Sequence, residues 1–202
     1  MSSRETALVV SNQGTSTQVT DNLITNNQIN GNVGLGHQTN ITIQRPNFNA
    51  LSEVVSRSKE LTTSDPAYVD ILEALSDFLA QRPGRKVIGL EQKLINGDRT
   101  DLLEDAAFLE NQASRRLARN QMSPTLQTLY LHCLAQINTA FCSHIQPLIQ
   151  SGESKGTVDA ATYQLVIQPI CEVFSQVDPS FTTEAIRGFL FFLTGKCHIQ
   201  WE

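Results

Sequence analysis

The sequence predicts a mainly α protein, a bundle of about seven helices preceded by a short Asn- and Gly-rich β arm. Two observations carry this reading. From residue 47 onward apolar side chains recur at a helical period between cap and proline signals. From Thr6 to Gln44 there is one formal charge, Asp21, among Asn, Gln, Ser, Thr, Gly and isolated aliphatics. The chain therefore divides into a polar, nearly uncharged arm over 1–46 and a helical domain over 47–202 with an apolar last helix and a Trp-ended tail.

The arm cannot bury enough side-chain surface to fold alone. Its apolar positions nevertheless alternate, at Ile29, Gly31, Val33 and Leu35 and again at Ile41 and Ile43, and a period of two means strand. Asn30-Gly31, Gly34 and Gly36 supply positive-φ positions for a turn or bulge. Two readings stay open for this segment, a polar disordered tail and strands that pair between copies of the chain, and the alternation favours the second. Its self-association residues would be Ile29, Val33, Leu35, Ile41 and Ile43.

Arg45-Pro46 closes the arm, because the residue before a proline is biased to extended geometry. Asn47 or Asn49 then caps a helix running to about Leu61. Asp65-Pro66 starts a second, with Val69, Leu72, Leu75 and Leu79 on one face and an end near Gln81, before Pro83-Gly84. Lys86 to Ile95 reads as a third, stopped by Asn96-Gly97, and Asp98 or Thr100 caps a fourth carrying Leu102, Leu103, Ala106, Leu109 and Leu117 among charges.

Ser123-Pro124 repeats the cap-then-proline signal ahead of the longest stripe, from Leu126 through Tyr130, Cys133, Ile137, Phe141 and Ile145 to Leu148. This is the expected central helix, ended by Ser151-Gly152. Thr157 or Asp159 opens the sixth, in which Pro169 predicts a kink or break. Asp178-Pro179 makes a turn, and Thr182 or Thr183 with Glu184 starts a last helix over Ala185 to Leu193.

Composition excludes several function classes. A formal net charge of −5 disfavours sequence-independent nucleic-acid binding, which draws on clustered Lys and Arg. The densest apolar run, Gly188 to Leu193, is far short of the roughly 18 residues of a membrane span. Cys133, Cys142, Cys171 and Cys197 lie far apart behind a first segment too polar for a secretory signal, so reduced thiols and a cytoplasmic location are expected. His132-Cys133, Cys142-Ser143-His144 and Cys197-His198 invite a zinc hypothesis. On one helix, however, Cys133 and Cys142 face nearly opposite ways, and Cys133 and His144 stand about 16 Å apart along the axis, so no metal is expected. No nucleophile elbow and no phosphate-binding glycine loop occurs. No enzyme and no cofactor is expected.

Two basic spots stand out, Arg82, Arg85 and Lys86 at a helix junction and Arg115, Arg116 and Arg119 on a helix. The second is a candidate anion contact, though solvated helix faces account for both. At the carboxyl terminus, Phe189 and Phe192 belong to a helix apolar on all sides, and Ile199 and Trp201 follow it. Such a helix must be buried, so these four residues anchor either their own core or a partner.

The stretch Ile186-Arg187-Gly188-Phe189-Leu190-Phe191-Phe192-Leu193-Thr194-Gly195-Lys196-Cys197-His198-Ile199-Gln200-Trp201 resembles the closing segment of the helical C-terminal domain of bacterial ABC-three-component, Lamassu-like, defence systems. The resemblance extends over residues 50–202 and implies a non-catalytic module that links an effector to an SMC-like ABC ATPase and a small middle component. Where the family typically carries a nuclease or protease ahead of the domain, this sequence shows the Asn-rich arm, so no direct effector activity is expected. Within the arm, Val33-Gly34-Leu35-Gly36 followed by Ile41 and Ile43 resembles amyloid signalling motifs of RHIM type, with Gly34 where those often carry Gln.

The functional expectation is a non-catalytic oligomerisation or adaptor subunit of a prokaryotic antiviral defence complex, which partners itself and SMC-like ABC ATPase and effector subunits. Alternatives are an amyloid-type signalling module that templates an effector, and a nucleic-acid-binding accessory using Arg115 to Arg119.

Overall fold

Proline and cap signals fall where helices begin in the computed structural model, which describes residues 28–29, 43–44, 48–61 and 65–202. Seven helices result among these residues: α1 Phe48–Ser58, α2 Pro66–Leu79, α3 Leu90–Asn96, α4 Leu103–Arg119, α5 over 124–150, α6 over 155–177 and α7 Thr183–Gly195. Asp65 Oδ1 accepts from the Ala67 amide at 2.9 Å, Ser123 Oγ from Leu126 at 3.3 Å and Thr182 Oγ1 from Ala185 at 3.2 Å. Each satisfies one of the amides that a helix start leaves unpaired.

Several boundaries differ from the sequence reading. Asn49 lies inside α1 rather than capping it, and α1 ends at Ser58, whose Oγ donates back to the Val55 carbonyl at 2.7 Å. Residues 86–89 stay outside any helix, and α3 starts only after Gly89. The extended stretch serves a tertiary role, since the Lys86 carbonyl accepts from the Cys197 thiol at 3.7 Å. Asp98 takes a left-handed φ of 54°, a 3-10 turn spans Thr100–Leu102, and no side chain caps α4. Ser154, not Thr157 or Asp159, caps α6, accepting from the Thr157 amide at 3.2 Å.

Two π-helical turns interrupt the long helices, Phe141–Ile145 in α5 and Thr162–Ile167 in α6. Each ends on the isoleucine of the same tripeptide, Ile145-Gln146-Pro147 and Ile167-Gln168-Pro169. The Gln146 amide bonds to the Phe141 carbonyl and that of Gln168 to Tyr163, both five residues back. A proline in a regular helix would clash with the carbonyl four residues earlier, and one widened turn relieves it. Pro169 thus produces a π turn rather than a break.

α5 is central and packs against α1, α2, α6 and α7, with Leu129, Cys133, Leu134, Ile137, Phe141 and Ile145 buried. α4 and α7 form the most extensive helix pair. Gly188 makes it close: a Cβ there would lie 3.0 Å from the Leu109 carbonyl oxygen and 3.4 Å from Ala113 Cβ. At the front of the chain β1 Gln28–Ile29 and β2 Ile43–Gln44 pair antiparallel, Ile29 opposite Ile43. Val33, Leu35 and Ile41 lie outside the described residues, as does the RHIM-like stretch around Gly34.

Candidate functional site

The carboxyl-terminal tail is built from an unusual helix end. α7 stops at Gly195, and the His198 amide reaches back to the Leu193 carbonyl at 2.9 Å, a six-to-one closure with Cys197 at φ 65° where glycine is customary. The chain reverses and folds along residues 80–99. The Arg82 amide donates to the Lys196 carbonyl at 3.0 Å, and Arg85 Nη1 donates to the Cys197 and His198 carbonyls at 2.8 and 2.9 Å. Lys93, buried on α3, donates its ammonium to the Thr194 carbonyl. Both side-chain cations thus donate to carbonyls at or just beyond the end of α7, where the helix dipole favours positive charge.

Trp201 is 3 % exposed. Its Nε1 donates to Thr194 Oγ1 at 3.1 Å, Phe141 meets it edge-on with centroids 5.1 Å apart, and the Arg99 guanidinium lies 5.2 Å from its ring. Phe189, Phe192 and Ile199 are likewise buried in this same domain. The sequence left own core and partner open for these four residues; in the structure all four are core. The His198 ring lies against Phe78, 5.4 Å between centroids, with Nε2 3.2 Å from the Ala80 carbonyl. Burial holds its pKa below the ordinary histidine value, and Arg82 and Arg85 act in the same direction. A cleft of about 450 Å³ remains beside the tail, lined by Arg85, Lys86, Lys93, Gln200, Trp201 and Glu202 among others.

Arg99 is the residue that sequence reading missed. It is 3 % exposed, and Nη2 bonds to Asp159 at 2.7 Å and to Asp101 at 3.1 Å. Lys155 extends the network to Asp98 at 3.0 Å, tying the turn before α4 to the start of α6. Burial opposes the charge, but the bonds to Asp101 and Asp159 outweigh it and raise the guanidinium pKa. No local pattern marks its burial, because Asp159 is 60 residues away.

The three candidate anion contacts part company. Arg116 lies 4.7 Å from the Phe181 ring and 5.8 Å from those of Tyr130 and Phe189, and Nη1 donates to the Ser180 carbonyl at 2.6 Å. It is a fixed structural cation. Arg115 and Arg119 are exposed on α4 and form no ion pair among the described residues. All three line a cleft of about 560 Å³ that also contains Asp178.

The thiols are dispersed as the helical spacing requires. Cys133 is fully buried and its pKa is pushed far up, mainly by desolvation; Cys171 shifts up for the same reason. Among the described residues no three His, Cys, Asp or Glu side chains come together as a metal site.

With the geometry in place, comparison with known families is decisive. The model of C-terminal domain 9 of the ABC-three-component systems matches residues 89–201, more than half of the chain. The chain belongs to this family. No curated protein and no solved structure matches it. The ABC-three-component match begins at Gly89, the residue before α3, and ends at Trp201, so the docked tail closes the domain. It begins later than the resemblance read from sequence, leaving α1 and α2 outside. ABC-three-component systems are defence-related and have several components. No helix among the described residues is long and apolar enough to cross a membrane.

Proposed function

We propose that this chain is a non-catalytic assembly subunit of an antiviral ABC-three-component complex, working in the cytoplasm. The helical domain is the rigid unit, and the arm joins copies by strand pairing through Ile29, Val33, Leu35, Ile41 and Ile43. SMC-like ABC ATPase and effector subunits are the expected further partners. Membership of a multi-component system is the observation that carries this reading. The antiparallel pairing of Ile29 with Ile43 supports the arm's part in it. Two paired residues per strand leave backbone donors and acceptors on either edge, which a second copy would satisfy by β-addition.

Deleting residues 1–45 and measuring solution mass by light scattering tests the arm. A smaller particle with unchanged helix content is expected. An unchanged oligomer would overturn the arm's role. Co-expression with an ABC ATPase and an effector encoded beside it, followed by co-purification, tests the adaptor role; separate elution of all three at low salt would sink it.

A further inference from the structure

We propose that the exposed face of α4 is a self-complementary interface on which a second copy of this chain docks antiparallel. The inference shares with the proposed function the premise of self-assembly, but it uses a different surface and does not require the arm. α4 buries Ala106, Leu109, Ala113 and Leu117 on one side. On the other, Glu104, Phe108, Asn111, Arg115 and Arg119 are all exposed. At about 100° per residue these five fall within a stripe about 80° wide. From Glu104 to Arg119 the stripe is about 22 Å long, at about 1.5 Å per residue.

Acid at the start and base at the end of a helix suit the backbone dipole. The rest of the stripe points beyond that. Phe108 is 58 % exposed, a large ring turned outward between the two charged ends. Glu104, Arg115 and Arg119 form no ion pair among the described residues, whereas Asp105, off the stripe, faces Arg187 at 3.7 Å. Small residues Ala107, Ser114 and Ala118 flank the stripe and let a second helix approach.

Place a two-fold axis between Asn111 and Gln112. Glu104 of each copy then faces Arg119 of the other, and Phe108 faces Arg115, an ion pair and a cation–π contact, each made twice. A parallel arrangement would set like charges against each other, and a polyanion would meet the acidic end of the stripe. The second copy is therefore the occupant that the charge order fits. One helix face is a small interface, so the dimer belongs to the weak, reversible class.

The test uses the full chain carrying Asn111→Cys, treated with a short bis-maleimide against the parent chain as background. Crosslinked dimer above that background is expected. Adding Glu104→Arg or Arg119→Glu creates two repulsive contacts per dimer and should lower the yield about tenfold. Mixing the two variants restores both pairs, one with its native sign and one reversed, so the mixed crosslink should return to the starting level. A yield no higher than background, unaffected by the reversals, or not restored on mixing overturns the proposal. Deleting residues 1–45 from the Asn111→Cys chain separates the surfaces: the α4 crosslink persists whether or not the arm assembles copies.

Discussion

At the scale of single residues, the tail is held by close fit more than by any one bond. A Cβ on Gly97 would stand 2.4 Å from the Trp201 carbonyl oxygen and 2.7 Å from Trp201 Cβ, both in the chain path and unable to rotate away. Gly97→Ala should cost about 2–3 kcal/mol, the upper range for forcing atoms into a filled core. Urea unfolding followed by the fluorescence of Trp201, the sole tryptophan, measures it directly. A midpoint within error of the parent would show that the tail moves aside freely. Glycine here was legible as a helix stop but not as a contact with residue 201, because nothing local records what packs on the far side of a turn.

Titration belongs to the same scale and has two opposing signs. His198 is buried with its pKa below the ordinary 6.5, first through desolvation. The unfolded chain binds the proton more readily, so stability from neutral His198 is present above pH 6.5 and is lost as pH falls below it. Glu110 is held above 4.5 by desolvation, against the pull of Lys196 and Lys93. Its contribution is present below pH 4.5 and is lost as pH rises through the folded value. Replacing Glu110 by Gln should remove that loss, raising stability at neutral pH and steepening the acid decline left by His198. Thermal melts from pH 4 to 8 decide this; a parallel shift of the whole curve would rule out a titrating Glu110.

Among elements, helix starts followed local chemistry and helix interiors followed packing. Asp65, Ser123 and Thr182 cap where the sequence places them, and replacing any one by Ala should cost about 1 kcal/mol. The reading failed at residues 86–89, whose apolar Val87 and Ile88 look helical but whose chain is drawn out along the tail. It also missed Ser154 as a cap and Pro147 as the cause of a π turn. The α4–α7 contact gives the sharpest prediction at this scale. Gly188→Val would press branched carbons against the Leu109 carbonyl, 3.0 Å from the first added atom, and should destabilise by about 2–3 kcal/mol. Equilibrium denaturation measures it, and a loss no larger than a few tenths would mean that the two helices can part.

For the whole molecule, the family segment over 89–201 forms α3 to α7 and the docked tail, while α1 and α2 lie against α5 from outside it. Composition and periodicity by themselves determined the helical class, seven helices, the polar arm and the need to bury the last helix. Those are local or periodic properties, carried by residues close in sequence. Only the tertiary structure decided where Trp201 docks, which arginine of α4 is structural and which form no ion pair among the described residues, and why Arg99 is buried. Arg116 and Arg119 look alike as a sequence motif, yet three aromatic rings and Ser180 surround the first and none of these contacts reaches the second. The difference arises because burial and charge pairing depend on elements dozens of residues apart, which no window along the chain contains.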